Sequence, residues 1–179
     1  MKLKTFFAAA ASLLPAQSAL AATATVTGSV SAGTLSISTS ATPSFSVTLD
    51  GTDQTANYTV PTTVTDATGS GAGWNTTITS TQFTTGGGSP KTLATNASSI
   101  TGVTNSCATT CVNPTNSVGY PVGVPAGSTP PTAVKYFNAA ANTGAGKFTN
   151  TPAVDVSVPA LTSAGTYNST LTLAAVSGP

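Results

Sequence analysis

The sequence predicts an all-β fold, an antiparallel β-sandwich of about seven to nine short strands. Apolar and polar residues alternate with a period of two in segment after segment, and no window keeps the three- and four-residue spacing of an amphipathic helix. Ser and Thr make up roughly a third of the chain, and β-branched Thr favours extended backbone. Gly, Pro and Asn turns separate the alternating segments, which is typical of a two-sheet domain.

Three alternating segments precede the middle of the chain. Residues 34–40 and 45–49 each place their apolar side chains on one face, and Pro43 separates the two segments. Residues 58–66 alternate as well, but Pro61 interrupts them. Because proline cannot donate to a strand ladder, Pro61 predicts a sheet edge or a crossover there.

A glycine-rich bend at residues 69–73 leads into the next strand, residues 74–83. The alternation places Trp74, Thr76 and Ile78 on a common side of this strand. Trp74 is the only tryptophan. Its ring has two alternative roles: it fills the core of the sandwich, or it stacks on a sugar ring in a groove lined by hydroxyls.

Residues 92–131 are rich in Asn, Gly, Pro and Ser, and they predict a long irregular excursion with few strands. Loops of this length are frequently functional, so the excursion is a candidate for specificity. Tyr120 and Tyr136 lie in or near it, and we expect them to make exposed contacts. Strands then resume at residues 154–158 and 167–176, after a shorter one that includes Tyr136.

Residues 1–21 have the pattern of a signal peptide. Two lysines precede an apolar run, and the small-residue exit Ala19-Leu20-Ala21 predicts cleavage after Ala21. The apolar run is shorter than the ~20 residues of a membrane-spanning helix, so we expect secretion and no membrane insertion. Residues 22–179 would then form a single domain.

Charged residues are scarce, at 5% of the chain, against about 25% in an average soluble domain. His, Glu and Arg are absent. Beyond residue 21 the ionisable Lys and Asp side chains are Lys91, Lys135, Lys147, Asp50, Asp53, Asp66 and Asp155. Three scattered lysines cannot supply the cationic field that nucleic acid or anionic lipid requires, so neither is an expected partner.

The same inventory argues against an enzyme. Glycoside hydrolysis commonly uses two convergent carboxyl groups, and a catalytic triad requires His or an equivalent base. Asp50 and Asp53 share one turn and are too few for a calcium site, while Asp66 is expected to cap the bend that follows it. We therefore predict no catalytic residues, no cofactor and no metal.

Cys107 and Cys111 are the only cysteines, and three residues separate them. In an exported protein this pair predicts a short-loop disulfide. Metal ligation would need further Cys or His ligands, and a redox pair normally has two intervening residues.

Residues 64–83 resemble the first signature of WxL domains, the wall-binding modules of Gram-positive bacteria. The shared features are a strand that ends in Asp66, a glycine-rich bend, Gly-Trp-Asn including Trp74 and Asn75, and a strand that ends in Phe. Thr76 stands where the family typically has Leu.

The C-terminal residues 167–179 resemble the closing signature of the same family, Y-x-x-T-L-T-W-T-L-x-D-A-P. The positions that match in register are Tyr167, Thr170, Leu171, Thr172 and Pro179. Leu173 stands in place of the tryptophan, and Ser177-Gly178 replaces Asp-Ala.

The resemblance implies a non-catalytic surface protein that binds non-covalently to peptidoglycan or another cell-wall glycan. The wall-binding candidates that it implies are Trp74, Asn75, Thr76, Tyr167, Thr170, Leu171, Thr172 and Pro179. Two alternatives remain. Because charged gatekeepers such as Lys and Glu are nearly absent from the strands, the chain could self-associate into a surface filament or layer, or assemble with other surface proteins. It could also bind a glycan away from the wall.

Overall fold

The computed structural model describes residues 22–179, and the predicted signal segment 1–21 lies outside them. The chain divides into two units, Met1–Val30 and Ser31–Pro179. In the first unit, the described residues 22–30 have no regular secondary structure. The strands described below all belong to the second unit.

The fold of residues 31–179 is all-β, as predicted, and the part of the chain that the structure describes contains no helix. Its ten strands are β1 (Leu35–Ser38), β2 (Gln54–Thr59), β3 (Thr62–Asp66), β4 (Trp74–Thr81), β5 (Ser98–Cys107), β6 (Val122–Gly123), β7 (Ala126–Gly127), β8 (Val134–Ala139), β9 (Gly146–Val158) and β10 (Leu171–Ser177). The expected number was seven to nine, and two of the ten are only two residues long.

The first sheet has six strands, in the order β1-β3-β9-β5-β6, with β2 also paired to β9. β9 is the central strand. β5 pairs along one edge of it, and β2 and β3 pair along the other edge, one after the other. Pro61 lies at the break between β2 and β3, as the sequence predicted for an interrupted strand. The neighbouring Val60 N–H still donates to the Pro152 carbonyl at 3.1 Å.

The second sheet has four strands around β4. β10 pairs antiparallel with one edge of β4. The antiparallel β8 and the short parallel β7 occupy the other edge in succession. The two sheets pack face to face, which confirms the sandwich. The buried apolar residues between them include Val64, Ile100, Phe148 and Val154 from the first sheet and Trp74, Ile78, Tyr136 and Phe137 from the second.

The prediction of an irregular excursion over residues 92–131 was wrong for β5. This ten-residue strand pairs with the central β9. A register shift between Ile100 and Gly102 hides it from a period-two analysis. An extra residue at a bulge moves the inward positions by one, so Ile100 faces the core before the bulge and Val103 packs on it afterwards.

The expected strand at residues 45–49 is also absent. Phe45 and Val47 are half-buried, as the alternation predicted, but no backbone hydrogen bond joins residues 42–49 to any described strand. Alternation reports which side of an extended segment is covered, and it carries no information about a partner for the backbone. The C-terminal strands differ at their ends: β9 begins before residue 154, and β10 begins after residue 167.

Candidate functional site

Trp74, the most conspicuous candidate, lies in the core of the sandwich. Its side chain has no exposed surface, and its indole Nε1–H donates to the Gly144 carbonyl at 2.8 Å. The ring centroid is 5.8 Å from that of Phe137 and 6.2 Å from that of Phe148. Of the two roles that the sequence left open, the structure therefore shows the core role.

Asn75 and Thr76 are buried beside Trp74. The Asn75 amide donates to the Gly178 carbonyl at 2.8 Å, and the Gly178 N–H donates to the Gly73 carbonyl at 3.0 Å. Thr76 Oγ1 makes a long bond of 3.4 Å to the Phe137 carbonyl. The two bonds of Gly178 join the start of β4 to the end of β10, and the strands pair antiparallel, so the two signature segments are adjacent in the sheet.

A cleft of about 820 Å³ lies beside the other end of β10. Two segments supply most of its lining, one within residues 39–49 and the other residues 162–171. Four aromatic side chains line it: Phe45, Tyr58, Phe83 and Tyr167. Its lining overlaps the second apolar cluster of the domain, in which the buried residues are Ala56, Leu93, Ala97, Val156 and Val158.

Three of the four aromatic side chains contact one another. The Phe45 ring stacks on Tyr58 with centroids 6.1 Å apart and 11° between the planes. Phe45 also meets Phe83 edge-on, at 5.6 Å and 81°. The Tyr167 hydroxyl donates to the Ser163 carbonyl at 2.9 Å, a bond within the lining segment 162–171.

Three of the predicted site residues line this cleft: Tyr167, Thr170 and Leu171. Leu171 and Leu173 point inward, whereas Thr172 is exposed on the opposite face of β10 and does not line the cleft. Pro179 is exposed beside the buried end of β4. The structure thus separates the candidates into a buried group around Trp74 and a group at the cleft.

The cleft is uncharged. None of its lining residues is Lys or Asp; the lining consists of hydroxyl, aliphatic and aromatic side chains with one asparagine and a glycine. Burial raises the pKa of Tyr58 to about 12, so its hydroxyl stays neutral at physiological pH. A surface of this kind can exclude water from apolar parts of a ligand and offer hydrogen bonds to its polar parts.

Sequence reasoning missed Phe45, Tyr58 and Phe83 as site residues. Each belongs to a different segment, and only the tertiary fold brings them together. The expectation of exposed contacts was wrong for Tyr136, which lies on β8 and has no exposed surface. Tyr120 is half-buried, and its hydroxyl donates to the Tyr136 carbonyl at 2.8 Å.

Three of the four aspartates, Asp50, Asp53 and Asp66, have structural roles. Asp50 Oδ1 accepts from the Thr52 N–H at 2.9 Å and from the Thr52 hydroxyl at 2.8 Å, and these bonds lower the Asp50 pKa, the backbone one most. Asp66 Oδ1 accepts from the Thr68 N–H at 3.0 Å, so it caps the glycine-rich bend as predicted. Asp53 Oδ1 accepts from the Ala160 N–H at 2.8 Å.

The predicted disulfide between Cys107 and Cys111 is present. Among residues 22–179, no group of three or more His, Cys, Asp or Glu side chains is placed to hold a metal ion. The same residues contain no helix with the length and apolar character needed to cross a membrane.

A rigid two-sheet sandwich with a neutral, aromatic-lined cleft at one end is the architecture of a binding module. Residues 23–178 match the family model described as "WxL domain surface cell wall-binding". The chain therefore belongs to the WxL domain family, and it is a cell-wall or cell-surface protein that binds the wall. No curated protein and no solved structure matched the chain in the two other comparisons.

Proposed function

We propose that the domain binds the glycan strands of peptidoglycan non-covalently in the aromatic cleft and catalyses no reaction on them. In this proposal, residues 1–21 are a signal peptide that is removed on export, and residues 22–179 are the mature protein. The observation that supports this proposal is the cleft itself, which combines four aromatic side chains with hydroxyl groups from both lining segments.

The lining suits a sugar ring. The apolar face of a pyranose packs on an aromatic ring, while its hydroxyl and acetamido groups need hydrogen-bond partners. Phe45 and Tyr167 come from the two different lining segments, and both are half-buried, so part of each ring is covered and part is open. Thr170 adds an exposed hydroxyl at the cleft.

The absence of charge in the cleft favours the neutral glycan over anionic wall polymers. Phosphate recognition relies on Arg, Lys or clustered backbone N–H groups. Lys91, Lys135 and Lys147 all lie outside the cleft lining. The same lining contains no carboxylate, so it lacks the acid and base that glycoside hydrolysis commonly uses.

Sedimentation with purified, insoluble peptidoglycan tests the proposal. The protein comprising residues 22–179 should pellet with the wall material. Tyr167→Ala, which removes one aromatic face, should weaken binding about tenfold or more, on the order of 1.4 kcal/mol. Tyr167→Phe keeps the ring and loses only the bond to Ser163, so it should bind within about threefold of the parent, a change below 1 kcal/mol.

Two outcomes would count against the proposal. If the parent protein stays in the supernatant while a known wall binder pellets, peptidoglycan is not the ligand. If Tyr167→Ala remains folded and pellets as well as the parent, the wall is bound at another surface of the protein.

Peptidoglycan freed of teichoic acid should pellet the protein as well as untreated wall does, because the cleft is uncharged.

Self-association is the second candidate function, and one observation favours it. Residues 42–49 bring Phe45 and Val47 to the cleft, yet their backbone has no ladder partner among the described strands. A strand from a second copy could pair there. Light scattering over a range of concentrations should reveal oligomers if this is the function, and a strict monomer would exclude it.

A further inference from the structure

Five polar side chains meet inside the sandwich, and we call them the polar row: Thr62, Thr76, Asn105, Tyr136 and Asn150. Asn150 on β9 pairs directly with Thr62 on β3 and with Asn105 on β5. Directly paired residues project from the same face of a sheet, so these three form a line on the inner face of the first sheet. Thr76 and Tyr136 come from β4 and β8 of the second sheet.

The polar row is sealed from solvent over most of its length. Asn150, Tyr136 and Thr76 have no exposed surface, and Thr62 is 1% exposed. Asn105, which is half-buried, forms its outer end. Burial raises the pKa of Tyr136, and the nearby hydroxyls of Thr76 and Thr62 act in the opposite direction.

The polar row collects the unsatisfied groups of the domain. Within residues 22–179, four buried side-chain atoms have no hydrogen-bond partner in the protein: Asn105 Oδ1, Tyr136 Oη, Asn150 Oδ1 and Asn150 Nδ2. Thr62 Oγ1 is near them, but it donates to the Asn150 backbone carbonyl at 2.9 Å. Thr76 Oγ1 has only its long bond to Phe137.

Four unsatisfied groups in one place are too costly to remain dry. Each costs about 1–3 kcal/mol when buried without a partner, and the whole stability of a domain is about 5–15 kcal/mol. An internal water usually makes about three hydrogen bonds to groups of this kind. The polar row offers both donors and acceptors to it, since the Asn150 carboxamide supplies one of each.

We propose that the polar row is an internal hydration site, in which ordered water connects the Asn150 carboxamide to the Tyr136 hydroxyl and to Asn105 Oδ1. In this proposal, the small side chain of Thr76 leaves room for the water. It stands at the third position of the Trp-x-Leu pattern, two residues after Trp74, and Thr is smaller than the Leu of that pattern. Because Asn105 is half-buried, the water can exchange with bulk solvent at that end of the polar row.

Water–protein cross-relaxation in NMR tests the proposal on the intact domain. Cross-peaks between water and the Asn150 side-chain amide should have the sign of a long-lived complex, as should those to the Tyr136 hydroxyl. The Asn75 side-chain amide, which donates to Gly178, is the internal reference and should lack them. Thr76→Leu should remove the Asn150 cross-peaks by filling the space, while Thr172→Ala should leave them unchanged.

Absence of these cross-peaks in the folded parent would overturn the proposal. So would a peptide map that locates the loss of ammonia, and the resulting cross-link, at Asn150, because that carboxamide could then not bind the water as proposed. If Thr76→Leu does not fold, a high-resolution crystal structure of the parent decides the question. Density for water within hydrogen-bonding distance of Asn150 and Tyr136 supports the site, and closed apolar packing there rejects it.

Discussion

The two signature segments lie in very different environments, although their strands, β4 and β10, pair with each other. β4 is the central strand of its sheet, and Trp74, Thr76 and Ile78 on it are completely buried. β10 is an edge strand, and the residues leading into it form a wall of the cleft. The comparison teaches that the position of a strand in its sheet, rather than its residue pattern, decides whether its side chains can meet a ligand.

Trp74→Ala should lower the stability of the fold rather than remove a contact with the ligand. Large-to-small changes at buried aromatic residues cost about 3–5 kcal/mol, and here the Gly144 carbonyl would also lose its donor. Urea denaturation should show this loss of unfolding free energy. Tyr167→Ala is the matched change in the other region and should cost less, because Tyr167 is only half-buried.

If Trp74→Ala kept the stability of the parent and lost only wall binding, the core role of Trp74 would be wrong. That result would mean that the indole meets the ligand. Trp74→Phe separates packing from hydrogen bonding, since it retains most of the ring volume and loses the Nε1–H.

Alkaline pH should destabilise the cleft region. The pKa of Tyr58 is raised from 10.0 in the unfolded chain to about 12 in the fold. Between these values the unfolded state loses the proton and the folded state keeps it, so stability is complete below pH 10 and falls as pH rises towards 12. The loss is at most about 2–3 kcal/mol. Tyr58→Phe should flatten this part of a pH–stability curve measured by denaturation.

Removal of the disulfide tests a part of the fold that belongs to neither region. Replacing Cys107 and Cys111 by Ser releases a very short loop, and the loop-entropy model gives a loss of about 2 kcal/mol. Thermal unfolding with and without reductant should show the same difference in the parent. Wall binding should be unchanged at temperatures where the variant is folded.

The smallest effect should come from a matched pair on the C-terminal segment. Thr170→Ala and Thr172→Ala both remove an exposed hydroxyl, and each should change stability by less than about 0.5 kcal/mol. Only Thr170 lines the cleft, so only Thr170→Ala should weaken sedimentation with peptidoglycan. Equal binding by the two variants would argue against the cleft.

Sequence patterns predicted the fold class, the disulfide, the Asp66 cap and the inward face of β4, because each depends on local chemistry. They did not reveal β5, since its bulge displaces the alternation by one residue. They also could not assemble the cleft, because Phe45, Phe83 and Tyr167 are distant in sequence and meet only through tertiary packing. The polar row was hidden for the same reason: Thr and Asn on alternating strands look like surface residues until the second sheet covers them.

The central place of β9 has a consequence for how the domain is assembled. Thr62 and Asn150 pair although they are 88 positions apart in the chain. β5 likewise pairs with β9, which comes much later in the sequence. Closing such long loops delays non-local pairing, so folding should be slow, on the millisecond-to-second scale typical of sandwiches. The first sheet cannot be completed before β9 is available, because β2, β3 and β5 all pair with it; until then only the β1–β3 and β5–β6 pairs of this sheet can form.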